Sequence, residues 1–365
     1  MNRIVTIFAF IIPLIVFSQE SKVSNDTLLT VNENQFIQNH SNQLNIKFEI
    51  GNELINYFVP FEGNKANIKT NLNIRYALVF SYKFVSVRLG VRPGISETEK
   101  ENKGESDTFR FRIKLLFDKW SHQFEYNYNK GYYIENSNSI FSNANNPDFH
   151  VQFPNLTTKI LMGSSLFKFN DEYSIKAVES NTEIQLKSAG TFLPGINYSL
   201  YNINGIDKIK NDQGEIIERE VYQEYNGINL ILNAGYHYTF VLHKYWYVNI
   251  FANPGIGVDF YKTTFFSPNE SYKRSFNEPF LFFSTGVAAG YNGKKYFFGL
   301  EYDTQISSEK FDDNNIQLQP SINSFHVFIG YRFKAPKTIS KPIDDIENKI
   351  PILKENNNGR LSVVN

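Results

Sequence analysis

The chain has no cysteine. That absence excludes disulfides, thiolate metal sites, cysteine nucleophiles and a lipid-modified N-terminal cysteine. Long apolar runs are scarce too. Beyond Phe17 no stretch reaches the roughly 18 apolar residues that a membrane-spanning helix needs. Neither charge sign is in excess, Lys+Arg 37 balancing Asp+Glu 37, so nothing points to a nucleic-acid partner. HExxH, GxSxG, P-loop and complete dinucleotide fingerprints are all missing; GIGVD (Gly255–Asp259) lacks the third glycine. The histidines His40, His122, His150, His237, His243 and His326 show no ligand spacing. No catalytic residue, metal site or cofactor is therefore assigned.

What is present begins with MNRIVTIFAFIIPLIVFSQE. Arg3 supplies a positive end, Ile4 to Phe17 is apolar apart from Thr6 and Pro13, and Val16 and Ser18 precede a cleavable Ser18–Gln19 bond. Residues 1–18 read as a secretory signal peptide and 19–42 as a polar lead.

Aromatic residues make up 16% of the chain while its mean hydropathy is −0.36. Strict alternation reconciles the two. In SFHVFIGYRF (Ser324–Phe333), Phe325, Val327, Ile329, Tyr331 and Phe333 share one face, and His326, Phe328, Gly330 and Arg332 the other. Such a strand suits lipid on one side and a partly wet lumen on the other. Twelve segments follow this pattern: Leu44–Tyr57, Leu72–Tyr82, Phe84–Arg92, Thr108–Phe117, Trp120–Lys130, Leu156–Phe167, one crossing within Tyr173–Ile203, Gly227–Val241, Tyr245–Tyr261, Phe280–Asn292, Tyr296–Ile306 and Ile322–Phe333. Short links at Lys83, Asp118–Lys119, Leu242–Lys244 and Gly293–Lys295 read as periplasmic turns. Long polar links (Glu97–Asp107, Glu135–Pro154, Asn204–Glu224, Thr263–Pro279, Ser307–Pro320) read as extracellular. The expected fold is all-β: a transmembrane antiparallel barrel over 43–334, twelve-stranded with both termini periplasmic, fourteen strands being the alternative. From Ala335 the alternation stops, and 335–365, with Pro336, Pro342 and Pro351, reads as a flexible periplasmic tail.

The less apolar parity lists the lumen. Arg75, Arg88, Arg92, Arg110, Arg112 and Lys114 fall on the second to fourth strands, Arg112 opposite Glu125, with Glu49 and Glu53 on the first strand and Glu301 and Asp303 on the eleventh. One wall is expected to be charged and mainly basic. The facing wall carries Gly227, Gly235, Gly255, Gly257, Gly286, Ala288 and Gly290, where glycine either bends the sheet or leaves room. The charges either pair with one another or select anionic solutes. Within the awkward segment, Glu179, Asn181, Glu183, Gln185 and Lys187 form a polar stripe, and Glu179–Ser188 reads as kinked or folded inward: a plug, a ledge, a catalytic surface or a loop base.

QLKSAGTFLPG (Gln185–Gly195), AGYHYTFVLHKYWYV (Ala234–Val248) and PDFHVQ (Pro147–Gln152) give the chain its resemblance to the domain-of-unknown-function 4421 proteins, across roughly Leu44 to Phe333. The resemblance implies an exported, outer-membrane-barrel-like bacterial protein and transfers no activity. The functional expectation is a narrow pore or solute-binding barrel in the outer membrane. Its expected partners are membrane lipid, an anionic small solute and the barrel-assembly machinery that inserts it. The alternatives are an outer-membrane enzyme acting on lipid or surface glycan, and a structural barrel binding a partner through loops or tail.

Overall fold

Segments that alternate along the chain pair with one another in sequence order. The computed structural model describes residues 35–61, 64–72, 74–91, 93–137, 148–211, 213–308, 321–349 and 361–362. The signal peptide, most of the polar lead, Arg92 and most of 350–365 lie outside the described residues. Twelve strands build the wall: β1 Gln43–Phe61, β2 Arg75–Tyr82, β3 Val85–Val91, β4 Asp107–Leu116, β5 Trp120–Ile134, β6 Gln152–Phe167, β7 Ala189–Asn204, β8 Tyr222–Leu242, β9 Trp246–Phe266, β10 Ser271–Asn292, β11 Tyr296–Ser307 and β12 Ser321–Lys334. Each pairs antiparallel with its neighbours, and β12 pairs back onto β1, with Phe333 against Leu44. The sheet is closed, which removes the exposed edges that an open sheet leaves. Of Tyr173–Ile203 only β7 crosses, so the fourteen-strand alternative is overturned.

Alternation puts large apolar side chains on the outside. Phe48, Leu78, Phe124, Leu161, Leu230, Ile250, Leu281, Leu300 and Val327 are all more than a third exposed, spread around the whole wall. Toward the short-turn end this band meets an aromatic girdle: Trp120 on Phe167 (5.0 Å), Trp246 on Tyr291 (5.5 Å) and Tyr296 on Tyr331 (4.8 Å). An apolar belt with aromatic rims fits a lipid environment.

The long-loop end departs from the expected loops in two ways. Thr263–Pro279, expected as a polar loop, is mostly strand, and β9 and β10 are joined by Ser267–Glu270 alone. Stacked cross-strand rings extend that hairpin, Tyr261 on Phe276 (4.9 Å) and Phe265 on Tyr272 (4.8 Å). At the same end a strand over Asn64–Lys69 folds back from β1 and reaches β5, Ile68 opposite Ile134, bypassing the shorter β2, β3 and β4. Helix α1 (Glu97–Lys103), capped by Ser96, sits where those strands stop, and Asn71 donates to its Glu99 and Gly104 carbonyls. Gly131 forms the β5 bulge at φ +83°, where a Cβ would lie 2.1 Å from the Glu105 carbonyl oxygen.

The interior has two apolar clusters with a polar middle between them. At the long-loop end Tyr57, Ile68, Tyr132, Ile134, Phe153, Leu156, Ile203, Tyr225 and Tyr261 pack together. At the short-turn end Leu116, Tyr173, Ile175, Ala189 and Leu193 do so, with Phe36 and Leu166 against them. Beyond β12, within the stretch read as a tail, Lys337–Lys349 is a helix, α3. Pro342 hides the helix from a sequence reading, and Lys83 holds it through Asp344 (2.6 Å) and Glu347.

Candidate functional site

The polar middle is organised by strand register. Arg88 faces Arg112 across β3 and β4, and Arg112 faces Glu125 across β4 and β5. Two cations facing each other on adjacent strands require anions between them, and β1 and β5 supply these. Glu49 accepts from Arg88 Nε (2.6 Å) and lies 2.9 Å from Lys47 Nζ. Glu125, 1% exposed, accepts from Arg110 Nε and Asn127 Nδ2 (2.6 and 2.8 Å) and from Arg112, while Arg110 also pairs with Glu53. Removing one partner from such a buried network costs on the order of 3–5 kcal/mol.

Together these residues border a cavity of about 430 Å³. Its lining holds five basic side chains (Lys47, Arg88, Arg110, Arg112, Lys114) and seven acidic ones (Glu49, Glu53, Glu125, Glu179, Asp259, Glu301, Asp303). Over the lining as a whole the acids outnumber the cations. Its cations sit close together in sequence, whereas the balancing acids come from β1, β5, β9, β11 and the segment after β6. Each of the five cations has an acid within ion-pair distance. Among the described residues Glu301 has an ion-pair partner in Lys47, at 3.8 Å, and Asp303 accepts from the Ser324 hydroxyl at 2.8 Å. Arg75 stands apart at the start of β2, opposite Gly51, and does not line the cavity.

The glycine-bearing wall does not leave empty space. Rings lie over three of its glycines: a Cβ on Gly227 would meet Tyr201, on Gly257 Phe280 and on Gly286 Phe251. His237 stacks on Phe251 (4.8 Å) and its Nε2 is 3.0 Å from Asn253 Oδ1, while His326 Nε2 is 3.4 Å from Arg88 Nη2. Among the described residues no group of three His, Cys, Asp or Glu is placed to hold a metal.

Between β6 and β7 the chain turns into the barrel. Helix α2 (Ile175–Glu179) is capped by Ser174, whose hydroxyl accepts from the Ala177 amide. Then Glu183–Gln185 runs antiparallel to Ile37–Asn39, which pairs on its other edge, in parallel, with Leu361–Ser362. This plug is bolted to the wall. Arg332, 3% exposed, donates to the Asn181 carbonyl and Asn292 Oδ1 (2.5 and 2.6 Å) and to the Gly293 carbonyl, its guanidinium 4.9 Å from the Phe297 ring centroid. Asn249 donates to Tyr173 Oη (3.0 Å), Asn292 to the Ala177 and Glu183 carbonyls, and Asn45 to the Ser180 carbonyl (3.2 Å). His40 joins through its amide to the Thr182 carbonyl (2.9 Å); burial, reinforced by Arg332, pulls its imidazole down to about 4.

Of the polar stripe read from the sequence, only Glu179 lines the cavity, where Lys114 pairs with it. Burial pushes the Glu179 carboxyl up, and Lys114, helped by His237 and Arg112, brings it net below the ordinary value. Asn181, at φ 55°, donates to the Ala177 carbonyl, and Glu183 accepts from the Ser174 hydroxyl and lies 3.8 Å from Lys176. Gln185 bridges the Ser174 amide and the Glu172 carbonyl (2.8 and 2.7 Å), and Lys187 is exposed over Phe36. Four of the five therefore hold the plug together or lie outside it. Sequence reasoning missed Asn45, Asn249 and Asn292 as anchors; each was a single inward asparagine with no local pattern to mark it.

Among solved structures the chain is similar to the outer membrane protease OmpT from Escherichia coli (11% identity, 80% of this chain and 97% of that chain, TM-score 0.38). It is also similar to the translocator domain of autotransporter NalP from Neisseria meningitidis (13%, 80% and 88%, TM-score 0.42) and the Pseudomonas putida toluene transporter TodX (9%, 80% and 89%, TM-score 0.28). No curated protein matches. The motif-bearing strands and the inward segment lie within residues 24–333, which match the family model described as Domain of unknown function (DUF4421), and the chain belongs to that family.

Proposed function

We propose that this is an outer-membrane barrel that holds a small polar solute in its lumen behind a releasable plug, with the short turns and both termini in the periplasm. The observation that carries this reading is the 430 Å³ cavity between the plug and the tyrosine-lined long-loop end. That volume falls within the range of about 300–1,000 Å³ typical of small-ligand sites. The apolar belt and aromatic rim support the membrane placement, and the N-terminal export pattern supports the route to it. Because the cations are paired and Glu301 and Asp303 are only weakly engaged, the favoured solute carries a positive charge, alone or in a zwitterion. This replaces the anionic solute expected from the sequence.

Planar-bilayer recording under a KCl gradient tests the reading. Intact protein should show no steady conductance at neutral pH. Replacing Asp171–Lys187 by a glycine–serine linker should open a cation-preferring path. Anion preference would overturn the charge assignment, and a folded but silent variant would overturn the plug. The double variant Lys114→Met/Glu179→Gln, which loosens the plug without stranding a charge, should give intermittent openings.

A further inference from the structure

Tyr82 breaks a rule that the rest of the barrel obeys. Its parity on β2 is that of Leu78 and Phe80, and it pairs with Val85 beside the outward Phe80–Val87 pair. Leu78 is 44% exposed, but Tyr82 is only 6% exposed. The cover is α3: the Tyr82 hydroxyl donates to Asp344 (3.1 Å), and Lys83, in the β2–β3 turn, pairs with Asp344 and Glu347. The helix therefore lies against the outer face of the wall at its short-turn rim. It begins shortly after β12 ends at Lys334, next to Phe333, which is outward and 44% exposed. With about 1.5 Å of rise per residue, its length is about 20 Å along that rim.

Two further facts concern what else touches the helix. At about 100° per residue, Ile339, Ile343 and Ile346 share one stripe, roughly a quarter turn from the Asp344 and Glu347 side. Ile339 and Ile346 are 38% and 47% exposed, and no residue of α3 is buried. Interior Pro342 removes a helical hydrogen bond at a cost of about 3 kcal/mol, and a helix this short is marginal in water. The barrel serves one side through charge. Ile339 and Ile346 are left exposed where Tyr82 and Lys83 hold the helix against the outer face at the short-turn rim.

We propose that α3 is an interfacial helix that binds the lipid surface at the short-turn end, with Ile339, Ile343 and Ile346 in the boundary between headgroups and acyl chains. This rests on the membrane placement proposed above, and the test separates the two. The absence of cysteine permits single labelling sites. Ile343→Cys, Asp345→Cys and, on the belt, Leu232→Cys are each labelled with an environment-sensitive fluorophore, and the full chain is folded into phosphatidylcholine vesicles. The label at 343 should be quenched by spin-labelled lipid and lose most of its accessibility to iodide, and the label at 345 should behave in the opposite way. Lipid quenching at 232 with iodide quenching at 343 overturns the helix proposal while leaving the barrel embedded. Shielding of 343 from both quenchers means that protein covers the stripe, and likewise overturns it. Absence of lipid quenching at 232 overturns both.

Discussion

The two ends of the barrel interior are packed by different physics. At the short-turn end, Arg332, Asn45, Asn249 and Asn292 reach the plug through directional bonds to buried carbonyls and hydroxyls. At the long-loop end, Phe153, Ile134 and Ile68, all under 3% exposed, hold the mouth by apolar packing. Packing weakens gradually as groups separate, whereas a buried hydrogen bond left unmade carries the full desolvation penalty. The plug end is thus built to be either seated or out, and the mouth end to be a permanent fixture.

Variants that break this contrast rank by size. Arg332→Ala leaves buried acceptors without a donor, an expected loss of about 1–3 kcal/mol for each acceptor left unmet, and should expose Lys176 to trypsin while the barrel keeps its folded electrophoretic mobility. Ile134→Ala at the mouth should cost about 2–5 kcal/mol through cavity formation, read as a lower urea midpoint without tryptic cleavage in the plug. If both variants released the plug, the two ends would not be independent.

Acid should sharpen the contrast from one side only. The His40 imidazole titrates near 6.5 unfolded and at about 4 when seated, so the unseated state binds more protons between those values. Plug stability from this residue is complete above 6.5 and is lost as pH falls to about 4, a change of up to about 3 kcal/mol. Glu179, also held below its ordinary value, adds a loss at the acid end of that window. Tryptic release of the plug should rise between pH 7 and 4 in wild type, and His40→Gln should flatten most of the rise. The smallest effect belongs to Lys114→Met, where partial solvation limits the ion pair to about 1 kcal/mol; bilayer recordings should show brief openings only.

What the sequence made legible follows from range. Wall strands and their inward parity repeat every two residues, so Arg112 opposite Glu125 was readable from one turn. The inward path of the segment before β7 was readable because an even count of crossings leaves no room for another strand. The plug anchors were not, since Asn45 and Ser180 are 135 residues apart and meet only after closure. Helix α3 escaped because Pro342 outweighs its isoleucine spacing until Lys83 is in place.

The small sheet at the short-turn end joins Ile37–Asn39, Glu183–Gln185 and Leu361–Ser362. It is a knot in time as much as in space. The wall can close once β12 has met β1, with Leu361–Ser362 still to come, and contacts between such distant points form late because loop closure precedes any reward. Without Leu361–Ser362 in place the second edge of Ile37–Asn39 would be bare, and a bare edge strand pairs with whatever extended chain arrives first.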